Sequence, residues 1–187
     1  MIEEHFTALC GALERTTSAA PQVREWGRHL AGVLSRGGRL LTCGNGGSAA
    51  EAQHLSGELV GRFLHDRQPL SAIALHADTS AGTAIVNDYG EHELFARQVR
   101  AHGRAGDVLI ALSTSGSSQN VVAAAKAAHE LGVTAWALTG PAPNPLAALC
   151  DDAITVEAES VSTVQEVHLA LVHAICEALD EALGVPT

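Results

Sequence analysis

Basic residues are scarce in this chain. Eleven lysines and arginines stand against 21 aspartates and glutamates, a formal net charge of −10 with histidine neutral. Sequence-independent binding of nucleic acid needs a basic face that displaces counterions, so this balance argues against a nucleic-acid partner. Aromatic residues supply only 3% of the sequence, which leaves few platforms for stacked bases. No apolar run reaches the roughly 18 residues of a membrane span. Residues 1–20 include Glu3, Glu4, His5 and Glu14 and lack the basic start and apolar middle of a secretory leader. A cytoplasmic protein is expected. Cys10, Cys43, Cys150 and Cys176 share no CxxC spacing, so neither a zinc knuckle nor a redox pair is indicated. Each lies beside apolar residues, as expected of small buried hydrophobes in a reducing compartment.

What is present is a hydrophobic content of 47%, too high for disorder, in 187 residues, long enough for one domain with a proper core. Residues 2–18 place Phe6, Leu9, Cys10 and Leu13 at helical spacing, and Val23, Trp26, Leu30, Val33 and Leu34 do the same after Pro21. Gly37-Gly38 stops this second helix. Short apolar runs at 39–43, 71–75, 107–112, 133–138 and 152–156 then alternate with helical stretches. A final helix is expected over 161–183, ended by Gly184 and Pro186. Strands that are apolar on both faces and separated by helices indicate a parallel sheet covered on both sides. The fold expected is α/β: a doubly wound, three-layer α/β/α sandwich on a five-stranded parallel sheet. Residues 1–187 read as one domain, with 1–36 as an N-terminal helical extension packed on it.

Two turns at the carboxyl edge of that sheet stand out. Cys43-Gly44-Asn45-Gly46-Gly47-Ser48 follows the first strand, and Ser113-Thr114-Ser115-Gly116-Ser117-Ser118 follows the third. Both open helices. Glycine lets backbone N–H groups approach an anion, hydroxyls add donors, and each helix start adds a favourable dipole. Together they form a phosphate cradle that uses no lysine or arginine. The Walker pattern is absent, and no acidic residue ends the second strand where a dinucleotide ribose would be gripped.

A second constellation lies on helices. His54 and Glu58 are i and i+4 on one face. Gln165 and His173 are eight residues apart on the last helix, about 80° out of alignment, and can share a broad face. Two such helices could hold a divalent metal: imidazole suits zinc, and carboxylate and amide oxygens complete the shell. Spacing alone also allows each of these to be an ordinary helix-surface group. His5, His29, His65, His102 and His129 read as surface residues, and His168 lies near Gln165.

These motifs, with Gln53-His54, Asn87-Asp88 and Gln165-Glu166-Val167-His168, resemble the sugar isomerase (SIS) fold and, within it, the bacterial phosphoheptose isomerase family. The resemblance runs from about Leu30 to Leu183. It implies a cytoplasmic homotetramer with sites at subunit interfaces. It implies conversion of D-sedoheptulose 7-phosphate to D-glycero-D-manno-heptose 7-phosphate, on the way to activated heptoses. By the same resemblance, phosphate sits on Ser113, Thr114, Ser115 and Ser118. Asn45, Gly46, Gly47 and Ser48 contact the sugar, Asn87 and Asp88 close over it, and Glu58 and Gln165 also face the substrate. One zinc per subunit is held by His54, Glu58, Gln165 and His173. Glu58 is the base and His173 the acid of an enediol mechanism.

The chain departs from the family pattern at Ser162, where some members carry an acidic residue, and at Gly116-Ser117-Ser118, where Gly-Asn-Ser is common. Two other readings fit the loops: a non-catalytic SIS paralogue that binds a replication initiator, and an SIS protein acting on another phosphosugar. The first typically lacks the equivalents of Glu58 and His173, and the second predicts the phosphate loop without the metal quartet. Retention of the quartet favours the isomerase.

Overall fold

The computed structural model of the protein describes residues 1–185; Pro186, expected beyond the last helix, lies outside them. Five parallel strands, β1 (Leu40–Cys43), β2 (Ala72–Ala74), β3 (Val108–Ser113), β4 (Thr134–Thr139) and β5 (Asp152–Thr155), form one sheet in the order β2-β1-β3-β4-β5. Successive strand residues point to opposite faces. Leu40, Val108, Ile110, Leu112, Trp136 and Leu138 enter one core, and Leu41, Leu109, Ala111, Ala135 and Ala137 enter the other. Both faces are therefore dry, which is why these strands read as unbroken apolar runs rather than as alternating patterns.

Helices α1 (Ile2–Thr16), α2 (Ala20–Ser35), α3 (Gly47–Val60) and α8 (Val161–Ala182) contribute to the first core. On the other face lie α5 (Glu93–His102), α6 (Gln119–Glu130) and the short α7 (Pro145–Leu149), while α4 (Thr79–Tyr89) buries Ile85 alone. The N-terminal pair is tied into the sandwich. Trp26 of α2 stacks on Trp136 of β4 with ring centroids 4.6 Å apart, and its indole N–H donates to Asp152 Oδ2 at 2.7 Å.

The three-layer sandwich agrees with the sequence expectation; several details differ. The first helix stops at Thr16, and Thr17–Ala19 forms a single 3₁₀ turn. Helices α4, α5 and α7 add to those expected, α5 even though Phe95, Ala96 and Val99 share its buried face. Cys43 and Cys176 are buried as expected, but Cys150 is half-buried and Cys10 is exposed, because α1 turns that side to solvent. Phe6 and Leu13, placed at helical spacing, are also exposed on α1.

The order of strands decides where a ligand can sit. From β1 the chain moves one way to β2, then returns to β3 on the other side of β1 and continues outward to β4 and β5. Connections leaving the neighbours β1 and β3 thus diverge, and a crevice opens at their carboxyl ends. The two small-residue loops are the segments that leave β1 and β3.

Candidate active site

The loop after β1 runs from Gly44 into the first turn of α3. Asn45, Gly46 and Gly47 are exposed, whereas Ser48 is buried beneath the loop. Ser48 is therefore placed to shape the turn, and the three preceding residues present the accessible surface. The loop after β3 is built more tightly. Ser113 Oγ lies 3.2 Å from Ser118 Oγ, and the N–H and hydroxyl of Ser117 both donate to Ser115 Oγ, at 3.2 and 3.0 Å. Ser115 is exposed and Thr114 half-buried. Gly116 has φ +61°, and a Cβ there would collide with the Asn144 carboxamide. Asn144 is itself buried: it caps α7 by accepting from Ala147 N–H at 2.9 Å and donates to Thr139 Oγ1 at 3.0 Å. The loop after β3 is thus braced from β4 and α7. The first-turn N–H groups of α3 and α6, which helices leave without internal partners, begin at these two loops.

The two loops are joined across the crevice. Asn45 Nδ2 donates to Asn120 Oδ1 at 2.9 Å, and Asn120 Nδ2 donates to Asn45 Oδ1 at 3.0 Å.

From its first turn α3 runs beside α8, and the two present partners in step. The Gln165 amide rests against Gly47, so close that a Cβ on Gly47 would lie 2.5 Å from Gln165 Nε2. Further along, Glu51 Oε2 is 3.9 Å from His168 Nδ1. Further still, His54 Nε2 is 3.0 Å from His173 Nε2 and 3.2 Å from Glu58 Oε1. The steps advance α3 by four and then three residues and α8 by three and then five, so the seam runs parallel from the loop after β1 to the His-Glu-His cluster. In that cluster one donor atom from each of His54, Glu58 and His173 lies within 4.8 Å of the others. Phe63 stacks on His173, with centroids 5.8 Å apart.

The middle rung is not an ion pair. Burial raises the Glu51 carboxyl to about 7 and lowers His168 to about 4, the latter against the hydrogen bond that His168 Nε2 donates to the Thr139 carbonyl at 3.1 Å. Both neutral forms are favoured. Among the described residues Glu51 Oε2 and His168 Nδ1 have no hydrogen-bond partner.

The seam is locked at its far end by Arg67. Its guanidinium donates to the Glu58 and Leu59 carbonyls, at 2.8 and 2.9 Å, and to Asp180 Oδ1 of α8 at 2.7 Å. Orphan carbonyls at the end of α3 are thereby satisfied, and the helix that carries Glu58 is pinned to the helix that carries His173.

Of the residues singled out from sequence, the structure gathers His54, Glu58 and His173 into one cluster, sets Gln165 on the same seam, and places Asn45 to Gly47 and Ser113 to Ser118 on adjoining strand ends. Asn87 and Asp88 lie apart on the exposed α4, bonded to each other at 2.7 Å. Ser162 is exposed and lies 2.7 Å from Ser160, oxygen to oxygen. Sequence reasoning missed Asn120, Asn144, Arg67 and the Glu51–His168 rung. Asn144-Pro145 is a helix-start signal. Arg67 carries no local signal, since its partners are distant in sequence.

The SIS domain family model matches residues 4–140. A curated phosphoheptose isomerase from Streptomyces coelicolor is 62% identical over 179 residues, which is 96% of this chain and 78% of that protein. The chain belongs to the phosphoheptose isomerase family. Among solved structures of that family, the Francisella tularensis phosphoheptose isomerase superposes with a TM-score of 0.91 at 35% identity, covering 96% of each chain. The Neisseria gonorrhoeae phosphoheptose isomerase gives 0.88 at 41% identity, covering 96% of this chain and 97% of that one. Those two structures therefore share this fold over nearly the whole described chain. Among the described residues no helix is long and apolar enough to cross a membrane.

Proposed function

We propose that this enzyme converts D-sedoheptulose 7-phosphate to D-glycero-D-manno-heptose 7-phosphate through an enediol, within the supply of activated heptose. The observation that carries the reading is the His54–Glu58–His173 cluster, on the same two helices that start at, and reach, the sugar loop. A phosphosugar reader alone needs the loops; it does not need a carboxylate and two imidazoles converging within 4.8 Å.

In this reading the phosphate is held by Ser113, Thr114, Ser115 and Ser118 with the N–H groups at the start of α6. No cation is required, because hydroxyls, N–H groups and the helix dipole supply the positive field. Asn45, Gly46 and Gly47 line the sugar, with Ser48 shaping their turn and Asn87 and Asp88 covering it from α4. The carbon chain then leads away from the phosphate toward the seam. Glu58 takes a proton from C1, His173 delivers one to C2, and the O1 hydroxyl proton passes to O2, so the carbonyl moves from C2 to C1. Developing charge on the two oxygens needs an electrophile.

The donor set fits a divalent ion: two imidazoles and a carboxylate suit zinc with a position left open for substrate. His54, Glu58 and His173 would hold one zinc per subunit, and Gln165, set at the Gly47 end of the seam, would join such a set only from a neighbouring subunit; when bound, the ion would supply Lewis-acid polarisation of the substrate oxygens. An atom engaged with a cation cannot also carry the transferred proton, so Glu58 and His173 would act as base and acid only through atoms that the ion does not hold. A homotetramer with sites at subunit contacts also belongs to this reading. It is supported by the exposed side chains of Ile2, Phe6, Val161 and Leu169 on α1 and α8, and by His54, which opens onto the surface. A cytoplasmic location accords with its phosphorylated substrate.

The test is product formation. Incubated with D-sedoheptulose 7-phosphate, the zinc-replete protein should yield a heptose 7-phosphate aldose separable by anion-exchange chromatography. Full recovery of the ketose with no aldose would exclude the assignment.

A further inference from the structure

The paired carboxamides of Asn45 and Asn120 connect the two halves of the crevice. Asn45 belongs to the loop after β1, and Asn120 to the first turn of α6 after the phosphate loop. Asn120 Oδ1 also accepts from the Val121 N–H at 3.0 Å. That third bond fixes which end of the Asn120 amide is oxygen, since a backbone N–H can only donate. The Asn45 group facing it must then be the NH₂, and the Asn45 oxygen must face Asn120 Nδ2. The orientation of the Asn45 amide is thus dictated from α6. Asn45 uses one N–H and one lone pair in this pair, which leaves it one further donor and one further acceptor. A sugar hydroxyl, which both donates and accepts, matches that remainder.

We propose that Asn120 is a positioning residue for the isomerisation: it clasps Asn45, fixes the order of donor and acceptor offered to the sugar hydroxyls, and holds the sugar loop at a set distance from the phosphate loop. The claim rests on the substrate placement given above, and it assigns Asn120 no contact with the reacting atoms. Presetting both ends of the site matters because a small misplacement of a bound chain lowers the rate of the chemical step.

The test is a double-mutant cycle in the full-length, zinc-replete protein, with inorganic phosphate as a second probe. Asn120→Ala should lower kcat/KM for sedoheptulose 7-phosphate by about tenfold in the wild-type background, but by no more than about twofold once Asn45 is Ala, because its effect passes through that residue. Competitive inhibition by inorganic phosphate should be unchanged, since the phosphate loop keeps its own bonds. A general disruption of the α6 start would instead weaken phosphate as well. Equal losses in both backgrounds, no loss in either, or weakened phosphate inhibition would overturn the proposal. A substrate-free measurement separates this claim from the functional assignment. The amides of Ala49 and Ala50 bond to the Asn45 and Gly46 carbonyls, and they should exchange hydrogen at least about threefold faster in Asn120→Ala. Unchanged exchange would refute the clasp even if the wild-type protein proved inactive on the heptose; faster exchange in an inactive protein would keep the clasp and discard the substrate.

Discussion

His54 Nε2 and His173 Nε2 face each other at 3.0 Å from two parallel helices, with Glu58 Oε1 3.2 Å from the first. Two imidazoles converging with a carboxylate form a ligand set that a single cation satisfies better than shared protons do. Removing either imidazole should therefore lower zinc affinity by at least ~10²-fold, more than the usual loss from an outer partner. Titration calorimetry on the metal-stripped protein measures this directly. Wild-type affinity in both His54→Ala and His173→Ala would mean that zinc binds elsewhere.

Arg67 and Asp180 are only 5% and 4% exposed as side chains, and the guanidinium also serves two carbonyls of α3. Truncating the arginine leaves a buried carboxylate without its partner. Arg67→Met should cost about 3–5 kcal/mol of stability in urea denaturation. Arg67→Met combined with Asp180→Leu should cost less than Arg67→Met alone, because the uncompensated charge goes too. A double variant less stable than the single one would show that packing, not charge, dominates the site.

Glu51 and His168 oppose each other in their pH dependence. Burial raises Glu51 from 4.5 to about 7, so the folded chain holds the extra proton across that interval. Its contribution is complete below 4.5 and is lost as pH rises through 7. Burial lowers His168 from 6.5 to about 4, so there the unfolded chain holds the extra proton. That contribution is complete above 6.5 and is lost as pH falls through 4. The two slopes offset each other between 4.5 and 6.5. Glu51→Gln should then flatten the fall in denaturation midpoint from pH 6.5 to about 8, and His168→Gln the fall below pH 4.5. Parallel wild-type and Glu51→Gln profiles above pH 6.5 would show that Glu51 does not titrate there.

Much of this architecture is legible in the sequence because it is local. The strands announce themselves as short apolar runs. The loops after β1 and β3 are marked by glycine and serine, and the strand-then-helix order places both at one sheet edge. The i and i+4 spacing of His54 and Glu58 requires only that 47–60 be helical. The remaining features depend on pairs far apart in the chain. Asn45 and Asn120 are 75 residues apart, and Arg67 and Asp180 are 113 apart. Polar side chains carry no periodic signal of their partners. The in-step pairing of α3 with α8 likewise follows from how two helices lie on one sheet face. Cys10 is exposed for a related reason: helical spacing, shared with Phe6 and Leu13, shows that a face is apolar, not that this chain covers it.

The most direct test of the account is proton transfer itself, followed by NMR with sedoheptulose 7-phosphate in deuterium oxide. The zinc-loaded protein should produce an aldose bearing deuterium at C2, and Glu58→Gln and His173→Ala should each slow its appearance by at least ~10²-fold. Aldose formed without deuterium at C2, or near-wild-type rates in both variants, would contradict an enediol route through these residues.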